Sequence, residues 1–141
     1  MDLPGNLTGN FFVRAIRSAL HDARHWLCRR KHQAELRRHG LKLRFWPERH
    51  PEDDNGQLLD LDWSWIRALA GKSVGELRIH DTIGDCDNLR VIFFVPPTRD
   101  PLPVVWIIGV LQKKSDDFTS AQIRTYRLRR QLVLERFYQL E

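Results

Sequence analysis

Cysteine is scarce in this chain. Only Cys28 and Cys86 occur among its 141 residues, with no CxxC spacing. That excludes a disulfide-stapled scaffold and fits a reducing compartment, the cytoplasm, better than secretion; the two could pair only if the fold brought them together. Long apolar runs are missing too. The most apolar stretch, residues 104–111, is about half of what a membrane-spanning helix requires. The apolar patch Phe11-Phe12-Val13 is cut by Arg14 and Arg17 before a signal-peptide core can form, so no leader and no membrane partner are expected. No internal repeat or low-complexity segment occurs, and the length suits one domain, residues 1–141, around one moderate core. His21, His25, Cys28 and His32 would share one stripe of a helix, but no oriented partner accompanies them, so neither a metal nor another cofactor is expected.

Acidic residues are nearly absent from one third of the chain. Arg14, Arg17, Arg24, Arg29, Arg30, Lys31, Arg37, Arg38, Lys42 and Arg44 face only Asp22 and Glu35. The next stretch reverses sign, with Glu48, Glu52, Asp53, Asp54, Asp60 and Asp62 against Arg49, and basic residues return from Lys113 onward. The net charge of +5 is compatible with a polyanion as partner, although solvated helix faces also account for the N-terminal run.

Periodicity divides the chain in two. Phe12, Ile16, Leu20, Ala23 and Leu27 recur at helical spacing behind a capping Asn10, which predicts one long amphipathic helix ending by Gly40. Residues 41–46 alternate apolar and basic up to Pro47 and read as a short strand or extended arm. Residues 48–57 form a polar loop, and Asp62 can cap a short helix over 63–70, ended by Gly71. The second half alternates with period two: residues 76–80, 88–95 and 104–111 read as a three-stranded antiparallel meander, interrupted by the prolines between 96 and 103. Thr119 and Gln122 fit a capping box that opens a closing helix, whose face of Ile123, Tyr126, Arg130, Val133 and Leu134 suits packing on a sheet. Trp26, Trp46, Trp63, Trp65 and Trp106 read as core or interface anchors before a base-stacking platform.

Three stretches carry a resemblance. Gly75-Glu76-Leu77-Arg78-Ile79, Asn88-Leu89-Arg90-Val91-Ile92-Phe93-Phe94 and Gly109-Val110-Leu111-Gln112-Lys113-Lys114-Ser115 resemble the "ELRI", "YRVxYF" and "GFxKK[ST]" stretches of HigB-like, phage Gp49-like members of the RelE/ParE toxin superfamily. The similarity covers residues 62–137. It implies an α+β, RelE-like fold, with N-terminal helices on a small antiparallel sheet of three to four strands and a C-terminal helix; residues 1–40 read as a helical extension. Members usually begin with a strand. Either residues 41–46 supply it here, or the start is rearranged.

The resemblance also implies a function: the toxin of a type II toxin-antitoxin system, a metal-independent, ribosome-associated mRNA endonuclease. The alternative on the same fold is a ParE-like gyrase inhibitor or a non-catalytic RNA- or protein-binding module. The implied partners are mRNA, the ribosome and a cognate antitoxin that is acidic or of helix-turn-helix type. Such cleavage activates a ribose 2′-hydroxyl against the adjacent phosphorus and needs a base, cations for the developing charge and an acid. By position, Arg78, His80, Arg90, Lys113 and Lys114 are the catalytic candidates, and Arg78, Arg90, Lys113, Lys114 and Phe118 the RNA-binding ones. If Leu77, Ile79 and Val91 face the core, alternation sends Arg78, His80 and Arg90 to an open face. The bland readings are a solvated histidine, strand arginines paired with Asp81, Asp85 or Asp87, and a solvated lysine turn. Phe118 stands nearest to where many relatives have a tyrosine or histidine. It can stack but cannot transfer a proton.

Overall fold

The computed structural model describes residues 11–99 and 102–139. Its elements are β1 (Phe12–Ala15), α1 (Arg17–Trp26), α2 (Arg30–Leu41), a 3-10 turn (Lys42–Phe45), β2 (Trp63–Trp65), a second 3-10 turn (Arg67–Leu69), β3 (Val74–Arg78), β4 (Leu89–Phe94), β5 (Val104–Gln112) and α3 (Ser120–Val133). A π-helical turn, Leu134–Tyr138, prolongs α3. The strands form one mixed sheet in the order β1-β5-β4-β3-β2, with β1 parallel to β5 and the other pairs antiparallel. The class is α+β as expected, but the sheet has five strands rather than three to four.

The meander β3-β4-β5 forms where alternation places it. In β4, Val91 and Phe93 enter the core under α1 and α2, while Ile92 and Phe94 enter the core under α3. Both faces of the strand are covered, which is why residues 91–94 read as an unbroken apolar run. Thr119 makes the predicted capping box: its hydroxyl accepts from the Gln122 amide at 3.1 Å, and the Gln122 side chain accepts from the Thr119 amide at 2.9 Å.

The N-terminal half departs from the sequence reading. Residues 12–15 are a strand, not the first turn of a helix, because they pair with β5 in the register Phe12↔Val104 to Ala15↔Ile107. Helical spacing is a local signal and carries no trace of a pairing partner so far along the chain. Asn10 lies outside the described residues. The helix itself breaks in two: Leu27 is extended (φ −130°, ψ 100°) and α2 starts only after Arg29. The stripe of His21, His25, Cys28 and His32 is therefore interrupted, and among the described residues no group of three or more His, Cys, Asp or Glu side chains could hold a metal ion. Residues 41–46 finish α2 and turn through a 3-10 segment instead of forming a strand. Residues 63–65 form a strand where a helix was expected, since Trp63 and Trp65 pair with Leu77 and Gly75 of β3. Cys28 is exposed, Cys86 is buried, and both are free thiols.

β1 covers only the first four residues of β5. Beyond it, Asp22 of α1 accepts from the Val110 amide (3.2 Å), and Arg129 of α3 donates to the Ile108 carbonyl (2.9 Å) and to Asp22 (2.6 Å). One ion pair thus ties both helical layers to the rest of the strand. Among the described residues no helix is long and apolar enough to cross a membrane.

Candidate functional site

At the end of the β3-β4 hairpin, Arg78 and Arg90 lie directly opposite each other, so their side chains share one face of the sheet. Leu77, Ile79 and Val91 enter the α1-α2 core, which turns Glu76, Arg78 and Arg90 towards the α3 side. That side is not open as alternation alone suggested. Phe118, in the lead to α3, packs against the core there, and Lys113 lies over its ring with Nζ 4.5 Å from the centroid. The side chains of Arg90 and Lys113 are only 14% and 12% exposed.

Glu76 explains how two cations tolerate this burial. It is the one buried charged residue among those described. Arg90 Nε donates to Glu76 Oε1 at 2.9 Å, and Lys113 Nζ stands 3.7 Å from Oε2. Stripped of water without a carboxylate, either cation would carry a penalty of several kcal/mol. The bond to Glu76 engages Nε and leaves the terminal nitrogens of Arg90 for other acceptors; one makes a long contact, 3.5 Å, with the Leu89 carbonyl.

A second carboxylate organises the lip of the site. Asp62, just before β2, faces Arg78 Nη1 at 3.3 Å through Oδ1 and His80 Nε2 at 2.8 Å through Oδ2. Of the aspartates expected as partners, Asp81 pairs with His39 (3.3 Å) and Asp87 accepts from Gln112 Nε2 (2.9 Å). Asp62 does not cap a helix either, because residues 63–65 are a strand.

Arg78, Arg90, Lys113 and Lys114 line one cleft of about 490 Å³, together with Asp87, Asn88, Gln112, Ser115 and Asp116. Four of the five catalytic candidates therefore converge. His80 does not line the cleft: β3 ends at Arg78, and the histidine sits two residues beyond it, exposed and linked to Arg78 only through Asp62. Phe118 is not a wall residue but the surface on which Lys113 rests.

Comparison with protein-family models, with curated proteins and with solved structures finds no match to this chain. What the site can do is therefore read from its own groups.

Around the cleft, Arg78, Arg90, Lys113 and Lys114 stand against Glu76, Asp62, Asp87 and Asp116. Formal charge is balanced, so any preference for an anion comes from placement rather than net charge. Lys114 is the exposed cation of the four, and Arg90 and Lys113 are held fixed from below. No histidine or tyrosine lines the cleft. Burial pushes the Tyr126 hydroxyl well above its usual range, and the Tyr138 hydroxyl accepts a hydrogen bond from Trp106 Nε1 at 2.9 Å. Trp63 and Trp106 are buried, as core anchors should be, while Trp65 stays 45% exposed.

Glu76 and Asp62 were given no part in the site by the sequence reading. The available signal was Glu76 itself, an acid that alternation puts on the same strand face as Arg78, two residues before it. For Asp62 there was none, since its partners come from another strand.

Proposed function

We propose that this chain is the toxin of a type II toxin-antitoxin system, with a RelE/ParE-type, HigB-like fold, acting as a metal-independent endonuclease on ribosome-associated mRNA in the cytoplasm. The observation that carries the reading is the convergence of Arg78, Arg90, Lys113 and Lys114, drawn from the three motifs of the resemblance, in one cleft. The opening strand β1, ahead of two helices, the meander and a closing helix, also supports it, because the resemblance implies such a start. In this reading Arg90 and Lys113 hold the scissile phosphate and stabilise charge on the phosphorane, with Arg78 and Lys114 on the flanking backbone. His80, oriented by Asp62, is the proton-transfer candidate, and substrate would have to bring the reacting ribose to the cleft's lip. The partner is a cognate antitoxin.

One observation favours a second reading, a module on the same fold that binds RNA or gyrase without cutting: no histidine or tyrosine lines the cleft. Induced expression separates the two. The nuclease reading expects growth arrest with cleavage of ribosome-bound mRNA, relieved by Arg90→Ala with Lys113→Ala. Arrest with inhibited supercoiling and intact mRNA would select the gyrase reading, and growth without any effect on RNA would defeat the toxin reading.

A further inference from the structure

On the opposite face of the sheet from the cleft, α1 and α2 flank a groove. α2 comes down on the sheet near its end, where a Cβ on Gly40 would stand 3.1 Å from Ile107 Cδ1. Elsewhere the two helices turn short side chains towards each other, Ala19 and Ala23 from α1 and Ala34 from α2, leaving a groove of about 640 Å³. Its floor is apolar, formed by Val91, Ile107 and Val110, and exposed Leu20 and Leu41 extend the apolar lining to the outside. Its volume falls in the range of specific binding clefts.

The rim is basic. Arg24, Arg30 and Arg37 border the groove, are exposed, and have no ion pair among the described residues. Of the two acids in this helical layer, Asp22 is already held by Arg129. An apolar trough between cationic edges complements one kind of segment: an amphipathic helix whose apolar row, at i, i+3/i+4 and i+7, lies along half-buried Ile107 and exposed Leu20 and Leu41 while its Asp and Glu residues meet the arginines. A second copy of this chain would bring the same positive rim and be repelled. Nucleic acid would satisfy the arginines but leave the apolar floor uncovered.

We propose that the α1-α2 groove is a docking site for an acidic amphipathic helix of a protein partner. The inference stands apart from the nuclease reading, because the groove and the cleft lie on opposite faces and share no lining residue.

The test is selection from a displayed library of helical peptides of about 18 residues, or about five turns, on the full chain, followed by calorimetry and amide-shift mapping with the synthesised winners. Selected peptides should carry Asp and Glu on both sides of an apolar row and shift the amides of Ala19, Ala23 and Ala34. They should also bind the Arg24→Glu, Arg30→Glu, Arg37→Glu chain at least tenfold more weakly. If that chain fails to fold, Ala34→Trp, which plugs the groove from an exposed position, carries the same expectation. Absence of enrichment, winners of basic or neutral character, shifts centred on Asn88 and Lys113, or undiminished affinity for the variants would each overturn the proposal. So would a single-stranded RNA oligonucleotide that shifts the α1-α2 amides more strongly than the peptides do.

Discussion

Glu76, on β3, accepts a 2.9 Å hydrogen bond from Nε of Arg90, its neighbour on β4, and the carboxylate is the only charged group so deeply buried among the described residues. The pair is joined by Lys113, so three ionised groups share a space nearly closed to water. A buried ion cluster is weak evidence for stability, since its desolvation offsets much of the Coulombic gain. What it does secure is geometry: the two cations on the cleft floor are fixed before any ligand arrives.

Removing the central carboxylate should therefore hurt more than its share of contacts suggests. Glu76→Ala leaves Arg90 and Lys113 buried without a counter-ion and is expected to cost about 3–5 kcal/mol. In urea unfolding, the Glu76→Ala, Arg90→Ala double variant should lose clearly less than the sum of the single variants. Additive losses would mean that the two residues are not coupled as the geometry requires.

Lys114 separates binding from folding. It is exposed, so Lys114→Ala should change stability by no more than about 0.5 kcal/mol. If the proposed RNA reading is right, the slope of log affinity against log salt for single-stranded RNA should fall by about 0.7, the loss of one phosphate contact. An unchanged slope would remove Lys114 from the RNA-binding set.

His39 should make the fold sensitive to mild acid. Its Nδ1 lies 3.1 Å from Lys42 Nζ and its Nε2 3.3 Å from Asp81. Burial, then Lys42, lowers its pKa below the ordinary 6.5, and Asp81 opposes this without reversing it. The unfolded chain accordingly takes up the proton at a higher pH than the folded one. The stability this group contributes is complete above about 6.5 and is lost as pH falls through the lower folded value. Urea midpoints measured between about pH 8 and 5 should fall more steeply for the wild type than for His39→Gln; parallel profiles would contradict the assignment.

Gly109 is a packing requirement rather than a hinge. A Cβ there would stand 2.5 Å from Cε1 and 3.2 Å from Cδ1 of Tyr126, the ring that α3 lays against β5. Gly109→Ala should destabilise by about 1–3 kcal/mol through overpacking. Thermal unfolding should show part of this loss recovered when Tyr126→Leu is added. A neutral Gly109→Ala would show that the ring moves aside freely.

The sequence by itself determined the meander, the capped closing helix and the identity of the cleft cations. Each rests on a local signal: period-two alternation, the Thr119–Gln122 capping box, and basic residues at outward positions of apolar strands. It could not determine β1 or β2, whose short segments become strands only because β5 and β3 present free edges to them. Nor did it determine how the cleft is built. His80 lies outside the cleft because β3 stops two residues before it, Phe118 supports Lys113, and Glu76 and Asp62 are the carboxylates that hold the cations in place. Those outcomes depend on which chain segments meet across the sheet, and hydrogen-bond pairing between distant strands leaves no periodic mark in either strand alone. Chemistry was legible residue by residue; only the tertiary structure decided which charges share a carboxylate and which side chains line one cleft.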